Sequence, residues 1–590
     1  MAENLFADLR EIVLHEVLLL CPALRQDVLE RIEVIPARDT THGDVTTNAA
    51  LIAAKPFGSP PREIASALAA RLMLRSQIAG AEAAGPGFVN LTLDQAVLRT
   101  QIPIILRAGA AYGASTLGRG QRINIEYVSA NPTGPLHVGH CRGAIVGDAL
   151  ANLLSKAGYK ITKEFYVNDA GAQVIALARS VYARYLTALG LNGQAATYAA
   201  SVPGGLQYKG TYLSAVGEAL ANAHGHQFVN ALEHEWLNVF RDFAVTKMLV
   251  LIKEDLTALG VAHDVFTSER ALVEAGGVRQ ALGKLRDRGL LYEGVLAPPK
   301  GKIPDDWEPR QQTLFRATEF SDDVDRPIQK SDGSNTYFAN DVAYHANKIE
   351  RGFNTMIDVW GADHGGYIKR MQAAVRALGD GNASLDVVIC QIVRVVQNGE
   401  PMRMSKRAGT YVELRDLIES VGPDVVRFIM LMRKPDAQME FDLDSAVAQT
   451  RENPVFYVQY AHARCRSVLR IAASMPQLGP TDDEALAATD LSFLTAPEEL
   501  CLIRRLVAWP RLVESAATAR EPHRIGFYLY DLASDFHALW NCGHSDATLR
   551  FIQIEATNAT RARLALVAAT AAVIRSGLAV MGVTPVEEMR

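Results

Sequence analysis

The chain is poor in several features that would settle its class at a glance. Only six of its 590 residues are cysteine, at positions 21, 141, 390, 465, 501 and 542, and no two form a CxxC pair. Such scattered thiols disfavour a structural zinc site or a disulfide framework and suit a reducing cytosol, so no protein-bound metal is expected. Charge of one sign is lacking too. The formal net charge is −5 and the sequence pI about 6.3, so any nucleic-acid partner must be met by local basic patches rather than by overall charge. Long apolar runs are absent. The longest late one, Leu564 to Ile574, is 11 residues and stops at Arg575, short of the roughly 20 that cross a bilayer, so no membrane partner is expected. The opening MAENLFADLREIV mixes acids with apolar residues and lacks the basic-then-apolar layout of a signal peptide. The expected location is cytoplasmic.

What is present is an ordinary globular composition, 49% hydrophobic and 21% charged, with material for about three or four domains. The most informative stretch runs from Gln121 to Tyr159. Arg122 to Val128 alternates polar and apolar residues and reads as a strand; a Pro/Gly loop, Asn131 to Pro135, follows. From Val138, Ile145, Val146, Ala149, Leu150, Leu153 and Leu154 recur at helical spacing, and Gly158 stands where a C-cap needs positive φ. His137, Gly139 and His140 occupy the junction. A helix N-terminus has unpaired N–H groups and partial positive charge, so it suits a phosphate, and two imidazoles add donors. Alone, this HxGH reads sooner as chance, or as a capped helix with a buried histidine, than as a phosphate site.

Taken in order, residues 1–115 carry two amphipathic helices, one at Leu5–Val17 and one at Pro61–Leu74, and a closing strand in GPGFVNLTLD, a small α+β domain. Gly109 to Gly120 is a candidate linker. Lys160 to Val167 is a second strand completing a βαβ unit, which places Asn168, Asp169 and the histidine loop on one rim of a doubly wound sheet. Residues 172–290 are mostly helical, interrupted by GGLQYKGTYL; a helix capped at Gly260 precedes a strand. Residues 291–350 alternate like strands and end in SNTYFANDVAYHANK. Thr355–Gly361 and Asp386–Val396 are apolar strands, and a glycine-punctuated loop, Gln397–Leu414, carries Ser405 and Lys406. A flexible lysine is a point charge able to follow a moving phosphate.

HVGH at the first helix and MSKR about 265 residues later are similar to the paired HIGH and KMSKS signatures of class I aminoacyl-tRNA synthetases. NIEYVSANPTGPLHVGHCRGAIVGDALANLLSKAGY, EFYVNDAGAQ, YKGTYL, YFANDVAYH, GADHGGY and RMSKRAGT together closely resemble the arginyl-tRNA synthetases. HGDVTTNAALIAAKP and GPGFVNLTL resemble that family's N-terminal domain, and YVQYAHARCRSVLR, YDLASDFHALWN and GVTPVEEM its helical anticodon-binding domain. Coverage is essentially end to end.

The resemblance implies an α/β fold: a class I Rossmann-type catalytic domain with insertions over 116–450, an N-terminal α+β domain contacting tRNA over 1–115, and an all-α anticodon-binding domain over 451–590. It implies an arginine-tRNA ligase using ATP with Mg²⁺, L-arginine and tRNA(Arg), monomeric, whose activation step depends on bound tRNA. His137, His140 and Lys406 correspond to the catalytic residues, and His137, Gly139, His140, Asp363, His364, Ser405 and Lys406 to the ATP site. Arginine contacts match Glu126, Ser129, Asn131, His140, Tyr337 and Asp341, with Glu126 and Asp341 facing the guanidinium, Tyr337 assisting and Asn131 nearer the α-amino end. Tyr367 is a further possible contact. Arg451, His462, Arg464, Arg466 and Arg470 face a single acid, Glu452, and interleave with Phe456, Tyr457 and Tyr460. Tyr457, Tyr460, Arg464 and Arg466 are the tRNA-binding candidates, although at least one of these aromatics is expected in the core.

Cys141, His263 and Phe266 depart from the family pattern, away from the proposed chemistry. Two alternatives stand beside this reading: cysteinyl-tRNA synthetase, whose thiol-selecting metal site finds no clustered cysteines here, and a non-catalytic tRNA-binding relative, which would need neither HVGH nor MSKR.

Overall fold

The computed structural model describes residues 4–37, 39–296, 310–402 and 412–589, and the chain divides into two compact units. One comprises 120–151 and 159–447. Its centre is a five-stranded sheet of β1 (Arg122–Glu126), β2 (Lys160–Val167), β3 (Val265–Ser268), β4 (Thr355–Gly361) and β5 (Ser384–Cys390), in the order β5-β4-β1-β2-β3. Every pairing is parallel, so the carboxyl ends of all five strands share one rim, where ligands bind in such sheets. β1 is buried from Ile123 to Glu126, as a central parallel strand must be.

Helix α1 (Val138–Lys156) crosses from β1 to β2. Its face is packed so closely on Tyr127 that a Cβ at Gly147 would lie 2.3 Å from the ring. A helical insertion, 172–258, has its own core around Tyr182, Trp236 and Phe240, with the Tyr182 and Trp236 rings stacked at 4.1 Å. Gly260 has φ +75° after the helix Glu233–Ala258, the cap read from the sequence.

Two expectations are corrected here. Residues 291–350 are not strand-like to their end: a three-stranded antiparallel sheet (Leu291–Gly294, Gln312–Phe315, Arg326–Gln329) gives way to helix α2 (Tyr337–Glu350). Phe338, Ala339, Val342, Ala343 and Ala346 are buried on one side of α2, a helical spacing hidden by the polar residues between them. Nor is Asp386–Val396 one strand. It breaks at Gln391, whose N–H donates to the Pro435 carbonyl at 2.8 Å, and Val393–Gln397 joins a different sheet beside Met439–Asp442.

The other unit comprises 4–119, 152–158 and 448–589 among the described residues. It holds a four-stranded antiparallel sheet (Val34–Pro36, Val45–Thr47, Ile78–Ala84, Phe88–Leu93) with three helices, Leu5–Leu20, Ala49–Phe57 and Pro61–Leu72, and a set of helices from Pro454 onward. The segment read as a candidate linker is packed. Tyr112 is 1% exposed, its carbonyl accepts hydrogen bonds from Trp509 Nε1 and Ser576 Oγ, both at 3.2 Å, and a Cβ at Gly113 (φ +82°) would meet the Trp509 indole at 2.4 Å. The apolar run near the C-terminus lies in a 25-residue helix, Thr557–Met581, long and apolar enough to cross a membrane but 89% buried over its most apolar window, a core helix of this unit.

Candidate active site

At the rim, β1 ends in strain. Val128 has φ +70° and Ser129 +39°, conformations that cost a β-branched residue about 1–3 kcal/mol and persist only when surroundings impose them. The surroundings are specific. The His263 ring contacts the Tyr127 carbonyl through Nε2 at 3.2 Å, Ser129 Oγ donates to Glu126 Oε1 at 2.9 Å, and the Tyr166 N–H donates to Ser129 Oγ at 3.0 Å.

The following loop is pinned at each step. Asn131 donates to Gln173 Oε1 at 2.8 Å, the Tyr212 hydroxyl donates to the Thr133 carbonyl at 2.9 Å, and the Leu136 N–H donates to Asp255 Oδ2 at 3.1 Å. The YKGTYL segment thus serves this loop, and a Cβ at Gly134 would lie 2.9 Å from the Tyr212 oxygen.

His137 and His140 stack at 3.9 Å between ring centroids. His137 Nδ1 accepts the Gly139 N–H at 3.0 Å, and His140 Nδ1 faces the His137 N–H at 3.4 Å. With Nδ1 accepting, each neutral ring carries its proton on Nε2. The expectation that first-turn amides would hold the phosphate needs correction. Val138 N–H donates to Val412 O, Gly139 N–H to His137 Nδ1, and His140 N–H to His137 O. Those amides are engaged, which leaves the imidazoles as the candidate donors to a phosphate.

Gly139 is exposed, yet a Cβ there would come within 2.8 Å of the His137 ring. We expect Gly139→Ala to displace that imidazole and slow adenylate formation about tenfold with a melting temperature close to wild type; activity and thermal melts measured together check this.

Ser405 and Lys406 lie outside the described residues. The chain that follows them is anchored: Val412 O accepts from Val138 and Leu414 N–H donates to Leu136 O at 2.9 Å, so the far end of the MSKR loop is bonded to the histidine loop.

An acidic cluster lies beside β1. Asp341, on α2, accepts a hydrogen bond from the Tyr367 hydroxyl at 2.6 Å. Burial raises its pKa to about 6 against that hydrogen bond, with Glu126 and Glu269 adding repulsion. Glu269 accepts from Asn340 at 2.9 Å, and burial raises its pKa as well. The buried Tyr166 hydroxyl has no hydrogen-bond partner among the described residues and is surrounded by Glu269, Asp341, Glu126 and Asp169, which with burial hold it un-ionised. Glu269 and Tyr166 were missed from sequence: Tyr166 lies inside EFYVNDAGAQ but was given no role there, and Glu269 falls in none of the family-like motifs. Tyr337, read as assisting Asp341, is 82% exposed at the first turn of α2; the hydroxyl bonded to Asp341 belongs to Tyr367. Glu126 lies 2.6 Å from Lys348 Nζ through Oε2, so the acid pairs with a lysine rather than an arginine; each oxygen retains a second lone pair. Asp363 and His364 follow β4 on the same rim, exposed, 3.5 Å apart.

In the other unit, Tyr460, Arg464 and Arg466 lie on the helix Pro454–Ala473 with Tyr457, which is 9% exposed and packs on His537. Arg464 stacks over Tyr460 and Trp540 at 4.1 and 4.6 Å. The basic cluster is weaker than its composition: His462 is buried and its pKa lowered by burial, while Arg466 and Arg470 pair with Glu587 and Glu588.

Residues 7–93 match the family model for the arginyl tRNA synthetase N-terminal domain, 101–187 that for the tRNA synthetases class I (R) catalytic domain, and 458–589 that for the DALR anticodon binding domain. The parallel sheet, the histidine loop at its rim and these matches define a class I aminoacyl-tRNA synthetase. The arginine-tRNA ligase of Gluconobacter oxydans is 57% identical, over 99% of this chain and 98% of that protein, and that of Ruegeria pomeroyi 55% over the whole of both. The chain belongs to the arginyl-tRNA synthetase family. Its fold is that of solved arginyl-tRNA synthetases from Thermus thermophilus (TM-score 0.73, 23% identity, 99% of this chain and 100% of that one) and Plasmodium falciparum (TM-score 0.70, 16% identity, 100% and 99%).

Proposed function

We propose that this arginine-tRNA ligase activates L-arginine at the β1 rim and passes it to the 3′-terminal adenosine of tRNA(Arg) in the cytoplasm. The observation that carries the reading is the cluster of carboxylates around the buried Tyr166, on the same sheet rim as the loop that carries two stacked imidazoles. A guanidinium is a planar fork of five donors and takes carboxylates and hydroxyls as partners. Asp341 and Glu269 face it, Glu126 supplies further acceptors, and Asn131 and Ser129 border the α-amino end.

ATP enters as its Mg²⁺ complex. Its phosphates meet His137 and His140, with Gly139, Asp363 and His364 beside them and Ser405 and Lys406 approaching from the loop anchored at Val412. The arginine carboxylate attacks the α-phosphorus in line and pyrophosphate leaves, so no enzyme nucleophile is required. Positioning and charge stabilisation carry the rate. Tyr457, Tyr460, Arg464 and Arg466 contact tRNA within the helical domain, 451–590, of a three-domain chain whose N-terminal and catalytic domains are 1–115 and 116–450.

Aminoacylation with arginine, ATP, Mg²⁺ and total tRNA tests this. Charging with arginine alone among the amino acids is expected; charging with cysteine, or none, overturns it.

A further inference from the structure

Three carboxylates lie side by side across the sheet beneath the arginine pocket. Parallel register aligns Asp358 of β4 with Glu126 of β1, and Glu126 with Glu164 of β2. Their side chains are 1%, 10% and 0% exposed. Like charges placed opposite each other on neighbouring strands destabilise a sheet, and burial makes this worse.

Helix α2 and its C-cap supply the opposite pattern. His345 Nε2 contacts Asp358 Oδ2 at 2.9 Å, Lys348 Nζ donates to Glu126 Oε2 at 2.6 Å and Asp358 Oδ1 at 3.1 Å, and Arg351 donates to both Glu164 oxygens at 2.8 Å. Spaced at three residues, these groups share one helix face. Asp341 lies four residues before His345 on that face, and the His345 ring also bonds the Asp341 carbonyl, Nδ1 to O, at 2.8 Å.

We propose that Lys348, the central and fully buried member of this clamp, is a positioning residue for arginine: it locks the rotation and height of α2 on the acid row and thereby holds Asp341 in place. This rests on the assignment of Asp341 to the arginine pocket. The Tyr344 ring lies 4.3 Å from the Lys348 ammonium. Losing Lys348 takes the ammonium from Glu126 and leaves Asp358 with His345 alone, which lets the helix shift, and a small misplacement of a binding group is costly. Burial alone would lower the Lys348 pKa, but Asp358, Glu126 and Glu164 outweigh it, so the lysine remains charged.

The experiment measures aminoacylation kinetics and thermal melts for Lys348→Met, Asp341→Asn and the double variant. Lys348→Met is expected to raise the KM for arginine about tenfold and leave that for ATP within about twofold. In the Asp341→Asn background it should add less than about twofold, because residues acting through one contact are non-additive. A loss shared equally by both substrates, or one of full size in the double variant, overturns the inference. Asp358→Asn, which drops a charge but keeps a hydrogen-bonding oxygen, tests the same clamp should Lys348→Met fail to fold; it is expected to raise the arginine KM alone, and an unchanged value overturns the inference. An unaltered arginine KM in Asp341→Asn overturns the pocket assignment and the clamp with it; an affected Asp341→Asn beside an unaffected Lys348→Met overturns only the clamp.

Discussion

Replacing His140 or Lys406 by alanine is expected to lower tRNA-dependent exchange of pyrophosphate into ATP by about 10² to 10³, the usual loss on removing one pre-organised donor to a transition state. The effect should fall on the rate rather than on folding. His140 is half-buried; it stacks on His137 and faces the His137 backbone N–H through Nδ1. Its Nε2–H is the group whose loss matters, because the first-turn amides of α1 already have partners and cannot replace it. His140→Asn, which retains an N–H donor on a shorter arm, should recover part of the rate. A full exchange rate in either alanine variant overturns the assignment.

The second large effect concerns discrimination. Citrulline has nearly the shape of arginine without its charge, so in this pocket it leaves Asp341 unpaired, a cost of about 2 to 5 kcal/mol. Asp341→Asn should therefore weaken arginine strongly and citrulline little, narrowing the gap between them; a mutant that keeps the full preference shows that Asp341 is not the reader. The same residue gives a pH signature. Burial holds the Asp341 carboxyl at about 6, so in the free enzyme it takes up a proton as pH falls through that value. Only the ionised form attracts a guanidinium, and kcat/KM for arginine should drop about tenfold per unit below it. Bound arginine favours ionisation, which moves the acid limb of kcat to lower pH. In Asp341→Asn the limb near pH 6 should vanish.

What the sequence made legible was local. The strand, loop and helix from Arg122 to Lys156 follow from alternation, a Pro/Gly turn and helical spacing within 35 residues. Lys348 was illegible for the opposite reason: its partner Glu126 is 222 residues away, and only the register of β1 with β4 brings Asp358 beside both. Glu269 joins the pocket through Asn340, a contact no spacing rule anticipates. Tyr337 was favoured over Tyr367 because YxxxD sets it one helical turn from Asp341. The tertiary fold instead brings Tyr367, from the far side of β4, into the hydrogen bond. Likewise, the charge count around Arg464 could not include Glu587 and Glu588, which return from the end of the chain to pair with Arg466 and Arg470.

The strand order also bears on how this chain is made. β1 pairs with β2 on one side and β4 on the other. The ribosome delivers β2 almost at once, but the stretch from Glu126 to Thr355 takes roughly 10 to 45 s to synthesise at usual rates. Throughout that interval this central strand, buried from Ile123 to Glu126 in the finished sheet, has an open edge, the condition that invites pairing with another chain. The helical insertion that postpones closure has a hydrophobic core of its own and is complete before β4 emerges.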